Sequence, residues 1–328
     1  MLSRGWCDDT DRGDAMKLRT LFLALLSIIA ISIAASLPAQ AQRARVFVSV
    51  NGNDSNPCTA LSPCRTFQAA HNAVQAGGEV DVLDTGGYGP LFITKSISIV
   101  NPGGVVASIA TASNDAAIQI RVQSSDKVSL RGLTLDGNGI GGAGIYFTGG
   151  GALEIADCVA RNYTAYGLAF SPSSASTLKV TNSEFNDNGL EGINVQANAS
   201  VVGSLDRVGF YNNVTGGATV IAETATAITF TVKESVAINN GSGFVSATNG
   251  SGATSRMVVV RSVVSNTQGY GIFSSGPDSQ VIVDESTIFN NAHAWVAQYG
   301  GFIFSHGNNS VEFNAADFGP VTAAAALE

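Results

Sequence analysis

The chain has 328 residues, 45% of them hydrophobic and only 13% charged, with 37 glycines and a net charge of −8. That hydrophobic share is enough for a substantial core and excludes a disordered chain, and the lack of any Lys/Arg stripe excludes a nucleic-acid backbone as partner. Abundant Gly, Ser, Thr, Val and Asn beside scarce Glu, Lys and Gln point to an all-β chain with many turns.

At the N-terminus, Lys17 and Arg19 precede the apolar run LFLALLSIIAISIAA (21–35), and Ala39-Gln40-Ala41 has the small-x-small form of a signal-peptidase site. The expectation is a leader and signal peptide over residues 1–41, cleaved before Gln42, and a secreted mature chain (extracellular, periplasmic or at the cell surface). No membrane span is expected in it, because the apolar run is shorter than the roughly 20 residues a span needs. The acidic MLSRGWCDDTDRGDA is not the positively charged opening of such a signal, which leaves Met16 as an alternative start to Met1.

Residues 42–78 are read as an N-terminal cap. Cys58 and Cys64 sit in NPCTALSPC, and an oxidising compartment would let them close a small disulfide ring. No histidine flanks them, so no metal is assigned there; Cys7 falls in the leader, and Cys158 occupies a position otherwise filled by small residues, where it packs. RTFQAAHNAVQAGGEV (65–80) has helical spacing at Phe67, Ala70, His71 and Val74, which predicts a helix over 65–76 that stops at Gly77-Gly78 and leads into a first strand, VDVL. His71 is read as a packed or surface histidine rather than a ligand.

Residues 79–310 repeat. SEFNDNGLEGINV (183–195) is echoed by CVARNYTAYGLAF (158–170), SVAINNGSGFVS (235–246), SVVSNTQGYGIFS (262–274) and STIFNNAHAWVA (286–297). Aligned by Asn138, Asn162, Asn188, Asn213, Asn240, Asn266 and Asn291, the copies have a period of about 25 residues, and a Gly column follows at Gly144, Gly167, Gly192, Gly217, Gly243 and Gly271. Strand-only repeats of this length fit coils of a parallel β-helix; a propeller blade needs roughly 40 residues, and L-x-x-L-x-L is absent. The Asn column is read as a left-handed corner whose amides stack from coil to coil. A second column, Asp157, Asn182, Arg207, Glu234, Arg261 and Glu285, alternates in sign from Arg207 and predicts an outward salt ladder on one sheet. Residues 311–328 lose the repeat and are read as a C-terminal tail or cap.

The run VSVNGNDSNPCTALSPCRTFQAAHNAVQAGGEVDVLDTGGYGPLFITKSISIV, followed by the coils and SHGNNSVEFNAAD, resembles the bacterial secreted right-handed parallel β-helix proteins of the pectate-lyase-like superfamily over residues 46–316. The resemblance implies an all-β, single-stranded right-handed solenoid of triangular section with an N-terminal helical cap and an extracytoplasmic location. It implies no reaction, since that superfamily holds lyases, hydrolases, esterases and epimerases beside members without assigned activity. The paired-aspartate and Gly-His-Gly motifs of its galacturonan hydrolases and the Asp-Pro-His-Asp motif of its epimerases are missing. The esterase box is only partly echoed, in GGYGPLFITKSISIV (86–100).

The best concentration of candidate chemistry is Arg161, Tyr163 and Tyr166 in one coil with Asp187 and Glu191 in the next. A ring that can stack on a sugar face beside carboxylates and a guanidinium makes a substrate-binding corner for a saccharide. Asp81, Asp84 and Asp136 are isolated acids without an EF-type loop, His293 and His306 form no H-E-x-x-H helix, and no catalytic nucleophile, metal or cofactor is assigned. The function expected is a noncatalytic surface or carbohydrate-binding scaffold with an extracellular or cell-wall polysaccharide as partner; the competing expectation is an enzyme (lyase, esterase or hydrolase) acting on uronate-type glycans. The sequence does not fix the oligomeric state.

Overall fold

The computed structural model describes residues 43–111 and 113–316, so the expected signal peptide, Cys7 and the end of the C-terminal tail lie outside the described residues. The described chain coils through three parallel sheets. Sheet I has eleven strands, sheet II ten and sheet III nine, and every neighbour in a sheet is the equivalent strand of the coil above or below. One short helix accompanies them, so the parallel β-helix expected from the repeat is the architecture.

In one coil the order is Ser176–Thr181 in sheet I, Glu184–Asn186 in sheet II and Glu191–Ala197 in sheet III. The alternation of each strand sends Leu178 and Val180, Phe185, and Ile193 and Val195 into the interior. Parallel register then stacks like positions into columns. Along sheet II Phe185 lies over Phe210, the ring centroids 5.9 Å apart. Along sheet I the column Val128, Leu153, Leu178, Gly203, Phe230, Met257 holds one glycine among large side chains. The Phe230 ring takes the space Gly203 leaves: a Cβ there would lie 2.1 Å from Phe230 Cζ.

Two left-handed corners bracket six successive strands of sheet II, from Val159–Arg161 to Thr287–Phe289. The first is Asp157, Asn182, Arg207, Glu234, Arg261 and Glu285 (φ 45° to 56°); the second, always five positions later, is Asn162, Asp187, Asn212, Asn239, Asn266 and Asn290 (φ 55° to 59°). The charged column is therefore outward, as expected, but sits at the corner between sheets I and II and not in a sheet. Arg207 reaches Glu234 at 3.7 Å, and Arg261 reaches Glu234 at 3.2 Å and Glu285 at 3.4 Å. The spine continues upward through Arg207 to Asn182, Asn182 to Asp157 and Arg131 to Asp157.

The Asn column of the sequence resolves into two. The left-handed residue is exposed or half-buried, while the next residue turns inward: Asn188, Asn213, Asn240 and Asn291 are at most 2% exposed. Asn188 Nδ2 donates to Asn213 Oδ1 at 2.8 Å and Asn213 Nδ2 to Asn240 Oδ1 at 2.9 Å, while the same oxygens accept from the backbone N–H of the coil before. A parallel ladder of hydroxyls follows the first corner: the backbone N–H of Val208 donates to Ser235, that of Ser235 to Ser262 and that of Ser262 to Ser286. Cys158 is a member of this ladder, accepting from Leu133 N–H, and its burial pushes the thiol up to about 11.

The cap differs from its sequence reading. The helix is Phe67–Ala73, shorter than 65–76 at both ends: Thr66 is its N-cap, accepting from Ala69 N–H, and β-branched Val74 is already extended and opens the strand Val74–Val82. Arg43–Val48 is a strand that pairs with it, so sheet I reaches into the segment read as cap, and Ser310–Glu312 carries sheet II past the boundary expected at 310. Cys58 and Cys64 are joined in a disulfide, and both hydrogen-bond through their backbones to Phe47. His71 is packed: its Nε2 accepts from Thr94 N–H, and burial lowers its pKa.

Candidate functional site

The five residues of the expected corner do not form one site. Tyr163 occupies the position that Asn188 fills in the next coil, so it points inward and is 2% exposed. Its ring fills the space over Gly137 and Gly141, where a Cβ would lie 2.7 and 3.1 Å from Cδ1. Burial pushes its phenol well above the ordinary range. Tyr163 is a core residue and cannot stack on a sugar. Arg161 ends a strand of sheet II and pairs with Asp136 at 3.0 Å, which also accepts from Asn162, so neither is turned toward Asp187. Asp187 is an exposed left-handed corner that accepts from Asn212 Nδ2 at 3.0 Å.

Tyr166 and Glu191 do come together. The register Leu168 to Ile193 places them side by side at the start of neighbouring strands of sheet III, on its outer face. The following coil has Gly216 there, and Glu191 lies over it, 3.6 Å from where a Cβ would be. Glu191 is only 8% exposed and has no ion-pair partner among the described residues. Burial accordingly holds its carboxyl above the usual range. The Tyr166 phenol is raised by burial first and by the Glu191 charge second.

The same outer face carries residues that the sequence did not single out. Register sets Phe92, Gln119, Tyr146, Ala169 and Asn194 in one column across five strands. Phe92 and Tyr146 are 43% and 44% exposed. With one strand between them they stand roughly 10 Å apart along the stack. A groove follows them: one stretch of ≈ 580 Å³ runs from Gln68 on the cap helix past Phe92 to Asp115 and Gln119, and another of ≈ 670 Å³ continues from these past Tyr146 to Tyr166. Gln68 closes its upper end by accepting from Phe92 N–H at 2.8 Å. Aromatic rings spaced along an open groove, with amide and carboxylate groups between them, can stack on sugar rings and hold their hydroxyls.

Carboxylate chemistry on this face is limited by distance. Asp115, just before the strand Ala116–Ile120, and Glu191, at the start of its own, are separated by three inter-strand steps, about 14 Å, beyond the 5–5.5 Å or 6.5–9.5 Å of paired glycosidase carboxylates. No three His, Cys, Asp or Glu side chains gather as a metal-holding group among the described residues. Asp81 is engaged by Arg45, and Asp84 accepts from Ser49, Val50 and Tyr88.

Residues 85–214 match the family described as right-handed beta helix region. Among solved structures, pectate lyase Pel9A is similar with a TM-score of 0.61 at 18% identity, over 85% of this chain and 81% of that one. A rhamnogalacturonan lyase is similar with a TM-score of 0.50 at 13% identity, over 77% and 75%. The A-module of Azotobacter vinelandii mannuronan C-5 epimerase AlgE4 gives 0.46 at 14% identity, over 76% and 91%. At these identities the likeness is one of fold. No curated protein sequence matches the chain.

Proposed function

We propose that the protein binds a glycan along the outer face of sheet III and holds it without cleaving it. The observation that carries this reading is the continuous groove in which Phe92 and Tyr146 present partly exposed rings on alternate strands, with Tyr166 beyond them. Two platforms roughly 10 Å apart suit successive disaccharide units of an extended chain, and they need no chain ends or bond polarity. Holding rather than cleaving is supported by the separation of Asp115 and Glu191, too wide for the paired carboxylates of a glycosidase, and by the missing enzyme motifs. A secreted location after loss of residues 1–41 is part of the proposal and agrees with the Cys58–Cys64 disulfide.

The test is a binding and turnover assay of the purified chain against a panel of soluble glycans. Retention without new reducing ends or unsaturated products is the expected result. A ring stacked on an aromatic partner is worth about 0.5–1.5 kcal/mol beyond its area, so Tyr146→Ala and Phe92→Ala should each weaken binding about two- to tenfold while the melting transition stays in place. Turnover would replace this reading with the enzyme, and binding indifferent to both substitutions would remove the groove from it.

A further inference from the structure

We infer that the glycan held in this groove is a neutral one, not a uronate polymer; the inference rests on the groove being the glycan site. A uronate chain brings a carboxylate with every sugar, and each must meet a cation or stay in water. Neither stretch of the groove is lined by a Lys or Arg. The charged side chains along it are Asp115, and at its far end Glu191, a carboxylate packed over Gly216 with no cation beside it.

The cations around this face are committed elsewhere or stand at its rim. Arg65 Nη1 donates to the Gly87 carbonyl at 2.7 Å, Lys95 Nζ to the carbonyl of Val74, and Arg161 is taken by Asp136 around the corner. Arg121 stands one side-chain step beyond Gln119 on the same run, at the edge, where it can meet one carboxylate of a chain but not successive ones. A polyanion would therefore lie against two acids on a protein of net charge −8. A neutral chain meets none of this: its ring faces stack on Phe92 and Tyr146, and its hydroxyls donate to Asp115 and pair with the Gln119 amide.

The experiment is affinity electrophoresis of the whole chain in gels holding, separately, a neutral β-linked glucan, a xylan, a mannan, polygalacturonate and alginate, at low and high salt. The expected result is retardation by at least one neutral glycan, unchanged by salt, and none by the uronates. The double variant Asp115→Asn, Glu191→Gln should raise the ratio of uronate to neutral binding about two- to fivefold, the worth of removing like charges beside an open groove. Stronger retardation by a uronate than by every neutral glycan, still sensitive to Tyr146→Ala, overturns the neutral assignment while the groove reading stands. Retardation by no glycan, or retardation insensitive to Tyr146→Ala and Phe92→Ala, overturns both.

Discussion

Replacing Asn213 by Ala removes a side chain that is 1% exposed and sits in the middle of the amide ladder. Its Oδ1 accepts from the backbone N–H of Asn188 at 3.2 Å and from Asn188 Nδ2 at 2.8 Å; its Nδ2 donates to Phe185 O and to Asn240 Oδ1, both at 2.9 Å. After the substitution the Asn188 N–H has no acceptor in a buried site, which costs about 1–3 kcal/mol, and the three other bonds go at about 0.5–1.5 kcal/mol each. The loss should therefore be about 3 kcal/mol or more. Asn212→Gly is the matched comparison: it keeps the left-handed backbone without strain and gives up only exposed bonds, one donated to Asp187 and a longer one accepted from Asn239, so it should cost at most about 1 kcal/mol. Urea denaturation followed by circular dichroism reads both, with the slope checked for a change in the transition itself. A cost below about 1 kcal/mol for Asn213→Ala, or an equal cost for the two variants, would refute the assignment of structure to the inner column and of turn geometry to the outer one.

Gly203→Ala should cost about 1–3 kcal/mol by driving a methyl into the Phe230 ring, and Phe230→Leu should relieve part of it; strictly additive melting shifts would refute the clash. Opening the Cys58–Cys64 ring by Cys58→Ser with Cys64→Ser should remove about 2 kcal/mol and speed amide exchange in residues 43–66 while the coils stay protected; uniform acceleration along the chain would contradict that localisation. Glu191 has a folded pKa above its unfolded one, so the native state binds the extra proton, and its contribution is present below the unfolded carboxylate pKa and lost as pH rises through the folded one. Glu191→Gln should thus gain stability over the parent as pH goes from acid to neutral; a difference between their urea midpoints that does not change with pH would count against a desolvated carboxylate.

The coils were legible in the sequence because a stack repeats its corners, and the charge column was legible because each member follows a strand of sheet I by the same count. The inner and outer Asn columns were not separable. Asn stands in both, and where one coil has Tyr163 and another Thr267 in the inner column, alignment on the nearest Asn slips by one residue. That slip turned Tyr163 from a core ring into an apparent surface platform, while leaving Tyr166 and Glu191 correctly paired, since the Gly after them fixes their register independently. Phe92 and Gln119 were out of reach for a different reason: they lie in coils that precede the first aligned Asn, Asn138, so only the strand pairings reveal that they share a column with Tyr146. The strand Arg43–Val48 was hidden because it has no counterpart in the repeat and is recognised only by its partner.

The corner spine also bears on how such a chain can change its length. Coils whose sheets pair in one register are interchangeable as far as hydrogen bonds go, but the residues Arg207, Glu234, Arg261 and Glu285 give them alternating polarity. Losing one coil, residues 208–234, would set Arg207 on Arg261, whereas losing two, residues 208–261, would set Arg207 on Glu285 and keep every contact of opposite sign. Along this part of the molecule, gene-level loss or duplication is thereby favoured in pairs of coils, a parity rule imposed by side chains that take no part in the core.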